Sequence, residues 1–186
     1  WQLANEAEFI KEHLLDHGVI NVMDELMDLA SGRLLAVAGY ISLPNSREVV
    51  NTLRLLSCPF LPIGDCNRHC RETPAGQRPC DLSNDIADRD LFMNILKPNE
   101  RSATFASLSP VVTERYREHR VCFFYLRTEQ EIVRIEIPEW VAKWRDQIDL
   151  VHTLVVDQNR RGHGYPVALQ EAHEQAVING SDREEF

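Results

Sequence analysis

The chain has 186 residues, a length that suits one domain and rarely two. Apolar residues make up 44% and charged residues 26%, with no repeat or low-complexity tract, which excludes collagenous, coiled-coil and disordered classes. No apolar run nears the roughly 20 residues that span a bilayer, and a net charge of −9 opposes nucleic-acid binding by general electrostatics.

Residues 3–17 read as an amphipathic helix, with Phe9, Ile10 and Leu14 on one side and Gly18 just past its end. Val22, Leu26 and Leu29 repeat at helical spacing, and Gly32 follows as a stop. Leu34 to Ile41 is continuously apolar, the pattern of a strand buried on both faces, and Pro44 ends it. Asn45 with Glu48 resembles a capping box for a helix that carries Val49, Leu53 and Leu56 inward. Residues 57–87 are irregular, and residues 88–96 make a short helix. Val121 to Leu126 is apolar on both parities and reads as a central strand. A turn at 127–130 leads into 132–137, where Val133, Ile135 and Ile137 alternate with Arg134 and Glu136. That is a half-buried strand, hairpin-paired with the one before it. Val141, Trp144, Ile148, Val151 and Val155 then line one face of a long helix. Gly162 and Gly164 break it, Pro166 suits a first helical turn, and Leu169, Ala172, His173 and Ala176 share a face of the last helix. Strands between helices predict an α/β fold with a mixed sheet.

Charge is uneven along the chain. Residues 1–30 hold seven acids and one base, whereas residues 101–134 hold six arginines and four glutamates. Arg115, Arg117 and Arg120 in that second stretch are candidates for contacts with a polyanion, set against an ordinary salt-bridged surface. Four of the five cysteines, Cys58, Cys66, Cys70 and Cys80, fall in the Pro-rich stretch 57–87, with His69 among them. The odd count speaks against a fully paired secreted framework and for a reduced, cytoplasmic chain. The four thiols could ligate Zn²⁺ or an iron–sulfur cluster, although the tight Cys-x2-Cys knuckle is absent. Asp65, Asp81, Asp85, Asp88 and Asp90 around them are turn and cap residues more often than ligands.

The segment Gly164-Tyr165-Pro166-Val167-Ala168-Leu169-Gln170-Glu171-Ala172-His173 is the most informative. A histidine on the apolar face of a small-residue helix is either a hydrogen-bonded core residue or an imidazole facing an interior site. Eight helical residues separate Tyr165 from His173 by about 12 Å along the axis, so the two cannot share one small ligand without bending at Gly164.

This segment resembles the C-terminal signature of the NurA nucleases, which process DNA ends with a HerA-type hexameric ATPase translocase. The resemblance extends through Val37 to Val50, Glu118 to Leu126 and Asp149 to His152, and fits the bacterial branch. It implies an RNase H-like sheet flanked by helices. It also implies a metal-dependent DNA nuclease of double-strand-break repair, cutting single strands and resecting ends, and a homodimer. The cofactor implied is Mn²⁺ or Mg²⁺, held by clustered carboxylates that activate water and stabilise the leaving oxygen. By resemblance, His173 joins the metal site and Tyr165 lies near it, and both are assigned to catalysis. The family's acids include aspartates in Asp-Gly motifs, and no Asp-Gly dipeptide occurs in this chain. Trp1 stands where the second such motif would have just ended. The resemblance therefore implies the C-terminal portion of a NurA-like domain, residues 1–186, with a Cys/Pro-rich insertion at about 57–87. Such a chain would lack the N-terminal carboxylates and be inactive alone. Two other readings stay open: a non-catalytic module for dimerisation or translocase docking, and a Zn or iron–sulfur protein acting through the Cys-rich loop.

Overall fold

The computed structural model describes residues 9, 11–60, 65–74 and 76–176. Its centre is a hairpin of β3 (Val121–Arg127) and β4 (Ile132–Pro138), seven residues each and in full register from Val121 opposite Pro138 to Arg127 opposite Ile132. Aromatic and β-branched side chains fill both strands, the composition that fits a pleated surface covered on each side. β1 (Gly39–Ile41) pairs with the outer edge of β4, and β2 (Phe105–Ala106) with the outer edge of β3. The order is β1-β4-β3-β2, and every pairing is antiparallel. The fold is thus α/β as predicted, but among the described residues the sheet is antiparallel and not mixed. β2 has only two residues, too few for a periodic signal, and so escapes the sequence.

Helices cover both faces. On one, Cys122, Phe124, Leu126, Val133, Ile135 and Ile137 meet Val141 of α6 (Glu139–Ala142) and Val151 of α7 (Arg145–Arg161). On the other, Phe123, Tyr125 and Ile132 meet Phe92 and Leu96 at α4 (Asp88–Ile95), with Val49 of α2 (Glu48–Leu56) at the margin. The remaining helices are α1 (Ile20–Ala30), α3 (Cys66–His69), α5 (Pro110–Arg115) and α8 (Val167–Ala176).

Several local expectations change. A π-helical segment, Lys11–Val19, carries the chain through Gly18 into α1, so Gly18 is no stop; the earlier part of the predicted 3–17 helix lies largely outside the described residues. Gly32 does end α1, at φ +75°. Only Gly39–Ile41 of the run 34–41 is strand, and it sits at the sheet edge with Ile41 exposed, because β4 already has β3 on its other side. Asn45 does not cap α2. Its first turn is capped by the Asp88 carboxylate, which accepts from Val49 N at 3.2 Å and Val50 N at 2.8 Å. Val50 is buried and Val49 packs at the margin of the core as expected, but Leu53 and Leu56 are exposed. β4 is buried on both faces rather than on one, because Arg134 and Glu136 lie under α2 in an ion-paired cluster. The long helix predicted from 140 is two: the backbone is extended at Trp144, whose indole is exposed.

Candidate functional site

The C-terminal motif is shaped by two glycines. Gly162 closes α7, and a Cβ there would stand 1.9 Å from the Tyr165 carbonyl oxygen. Gly164 adopts φ +115°, and a Cβ there would meet the Gln130 amide at 2.2 Å. Only glycine fits either position. Gln130 Nε2 donates to the His163 carbonyl at 2.8 Å and Gly164 N to the Asn159 carbonyl at 2.8 Å. The loop is thereby tied to the β3–β4 turn, and Tyr165 is aimed at the sheet edge. Its ring meets Tyr40 of β1 edge to face, 5.5 Å between centroids. Tyr40 Oη donates to Asn159 Oδ1 at 3.1 Å and to Glu131 Oε1 at 3.4 Å. Glu131 also accepts from Ser42 Oγ at 2.9 Å and Leu43 N at 2.9 Å. Burial, then the Glu131 charge, raises the Tyr40 pKa well above the ordinary phenol value. Beside this cluster a cavity of about 170 Å³ opens among Gln130, Asn159, Arg160, His163 and Gly164.

His173 is not on an interior face. Every described residue of α8 is exposed, His173 included. The helix leans on α7 through its first turn, where Ala168 N donates to Gln158 Oε1 at 3.0 Å. No described element covers the side that carries Leu169, Ala172 and Ala176, so the small apolar face the sequence displays stays open. Its acids Glu171 and Glu174 accept from Gln175 and Gln170 along the helix. Asp157, the other acid near the motif, pairs with Arg161 at 2.8 Å.

The four loop cysteines are all free thiols. Cys66 and Cys70 lie one helical turn apart, with Cys70 N donating to the Cys66 carbonyl at 2.9 Å. Asp65 caps that turn by accepting from Asn67 N and Arg68 N. Arg54 Nε holds the Cys80 carbonyl at 2.8 Å. Burial raises the Cys70 thiol pKa, and the charges of Cys66, Cys80 and Cys58 push it the same way against Arg78.

Arg115, Arg117 and Arg120 flank the entry to β3. Arg115 ends α5, Arg117 is exposed at φ +48°, and Arg120 is exposed. Tyr165 and Gly164 sit by the β3–β4 turn, at the other end of that seven-residue strand. The strand is about 20 Å long, so the arginines and the Tyr165 loop are not one patch.

Between those arginines lies a group that sequence reasoning assigned no role. Asp24 of α1, Glu118 and His119 each offer a ligand atom, all within 4.8 Å of one another. Among the described residues this is the one such set of three or more His, Cys, Asp or Glu. The cysteines do not form one.

The family model for the NurA domain matches residues 9–178. The chain belongs to the NurA family. No curated protein and no solved structure matches it. The NurA domain implies a nuclease associated with DNA repair, NurA nucleases are generally metal-dependent, and the family acts on DNA. No described helix is long and apolar enough to cross a membrane.

Hard divalent ions want several oxygen ligands. The described surroundings of His173 do not supply such a set, and the imidazole alone does not make the metal site of a NurA nuclease. Sequence reasoning singled out Tyr165 and His173 and missed Tyr40 and Glu131. Tyr40 was hidden in an apolar run and Glu131 in a turn, and only the pairing of β1 with β4 brings them to Tyr165.

Proposed function

We propose that this chain is part of a metal-dependent DNA nuclease that cuts single strands and resects ends in double-strand-break repair, working with a HerA-type translocase and as a homodimer. The observation that carries the reading is the NurA match over 9–178, which includes the Tyr165–His173 segment. In this reading His173 is a ligand of the catalytic Mn²⁺ or Mg²⁺. Tyr165, fixed by Gly162, Gly164 and its contact with Tyr40, orients the nucleic acid beside it. His173 would contribute one ligand to such an ion, which when bound would supply activation of water and charge neutralisation at the leaving oxygen. The carboxylates such an ion would need are not gathered around His173 among the described residues. Arg115, Arg117 and Arg120 take phosphates away from the scissile bond, which fits their place at the far end of β3.

The test uses the 186-residue chain and the same chain extended at its N-terminus, with single-stranded DNA and Mn²⁺. The extended protein is expected to cleave and to lose cleavage with His173→Ala, while the short chain does not cleave. No cleavage by the extended protein, or cleavage indifferent to His173→Ala, removes the proposal. A second reading, a docking module without catalysis, draws on the apolar groove of about 640 Å³ lined by Leu53, Leu55, Phe105 and Leu108. An inactive extended protein that still binds a translocase would favour it.

A further inference from the structure

We propose that Asp24, Glu118 and His119 form a second metal site, separate from the one that includes His173, and that it takes a borderline divalent ion such as Zn²⁺. The three residues come together from α1 and from the loop before β3, with Asp24 and His119 95 positions apart in the chain. His119 is 0% exposed, and its Nε2 lies 2.7 Å from Asp24 Oδ1. Nε2 is the nitrogen that faces the Asp24 carboxylate and would bind an ion, while Nδ1 stays buried without a hydrogen-bond partner. A fully buried imidazole with two carboxylates close enough to share one ion is a donor set that suits a transition metal. Two carboxylates and one imidazole make three protein ligands, which leaves a fourth, open position in a tetrahedral ion. Asp24 and Glu118 both reach solvent, so an ion can enter and keep water or a phosphate oxygen at that position. The imidazole selects against Mg²⁺, which prefers an all-oxygen shell.

The position gives the ion a structural task. α1 continues directly from the π-helical segment before it; Ile20 and Ala30 at its two ends are buried, and Val22 and Leu29 between them stay exposed. The Asp24–His119 contact at 2.7 Å ties it to the loop before β3. A metal there clips α1 to the start of β3. The site stands at the opposite end of β3 from Tyr165, so its loss need not touch the proposed nuclease centre.

Equilibrium dialysis of the chain against Zn²⁺ in excess Mg²⁺, with metal counted per folded protein, tests this. Asp24→Asn and Glu118→Gln, both at solvent-reaching positions, are each expected to bind one equivalent fewer than the parent chain. His173→Ala should bind as much as the parent, and any Zn²⁺ taken by the loop cysteines stays in all four samples. Zn²⁺ should also raise the Tm of the parent and of His173→Ala, but raise that of Glu118→Gln less. The proposal is overturned if the parent takes up no Zn²⁺, if the two carboxylate variants bind as much as the parent, or if His173→Ala loses the same equivalent. In the extended protein Glu118→Gln leaves DNA cleavage intact while His173→Ala removes it, so the two proposals fail separately.

Discussion

On one face of the β3–β4 hairpin, Phe124, Leu126, Val133 and Ile135 pack against Val141 and Val151 through apolar contacts. On the other, Arg134 sits over the Phe123 ring at 3.6 Å and binds Glu48 at 2.9 Å and Glu136 at 2.8 Å. Next to it the Tyr125 hydroxyl donates to Asp88 at 2.7 Å, and burial raises the Tyr125 pKa to about 12. Both faces exclude water, but they constrain their helices differently. Apolar packing accepts small shifts of α7 along the sheet at modest cost. The polar face does not, because two backbone N–H groups of α2 and the Tyr125 hydroxyl must all find the one Asp88 carboxylate. The polar face therefore fixes where α2 sits, and with it the rim of the 420 Å³ pocket that contains Ser46, Tyr116 and Arg134.

The largest expected effect is on the apolar face. Phe124 is fully buried, and Phe124→Ala should cost about 4 kcal/mol in urea unfolding. A loss below about 1 kcal/mol would mean that this face is not the main core. Arg134→Met is expected to cost less, about 3 kcal/mol, because it leaves Glu48 and Glu136 facing each other without their cation. Each of those carboxylates keeps about a third of its side chain in solvent, which limits the penalty. The sharper readout is amide exchange at Val49 and Val50. Faster exchange there in Arg134→Met, but not in Phe124→Ala at matched stability, would show that the polar face positions α2. Equal acceleration in both would dissolve the distinction.

The same contrast explains what the sequence makes legible. The hairpin announces itself because both of its strands are dense in aromatic and β-branched residues, and the turn between them is polar. α4 and the helical character of α1, α2, α7 and α8 likewise follow from periodicity and glycine stops. Arg134 misleads, because alternation marks it as solvent-facing, and only a helix 86 positions away supplies its partner Glu48. Asp88 caps a helix that precedes it by some forty residues, so no local capping rule could connect them. His173 is the reverse case. Its helix carries the small-residue face of an interior element, yet that face is open among the described residues. The Asp24–Glu118–His119 group has no local pattern at all, since its ligands belong to elements that meet only after folding.

The smallest effect lies at the margin of the apolar face, where His152 intrudes. Its Nδ1 is buried without a partner, Arg101 and Asp149 lie beside it, and Arg101 reaches over the Phe124 ring at 5.9 Å. Burial, followed by the Arg101 charge, lowers the His152 pKa below the ordinary imidazole value, with Asp149 opposing both. Above that ordinary value, near pH 6.5, the ring is neutral folded or unfolded and stability does not depend on it. As pH falls below 6.5 the unfolded chain takes up the proton first, so folding stability drops until the folded pKa is passed. His152→Gln should remove this part of the acid sensitivity while leaving stability at pH 7.5 within the range of an ordinary substitution. The measurement is Tm against pH for both proteins. Curves that diverge below pH 6.5 and run parallel above it place a titrating group at the edge of the apolar face, and curves parallel throughout would assign the acid response to another group.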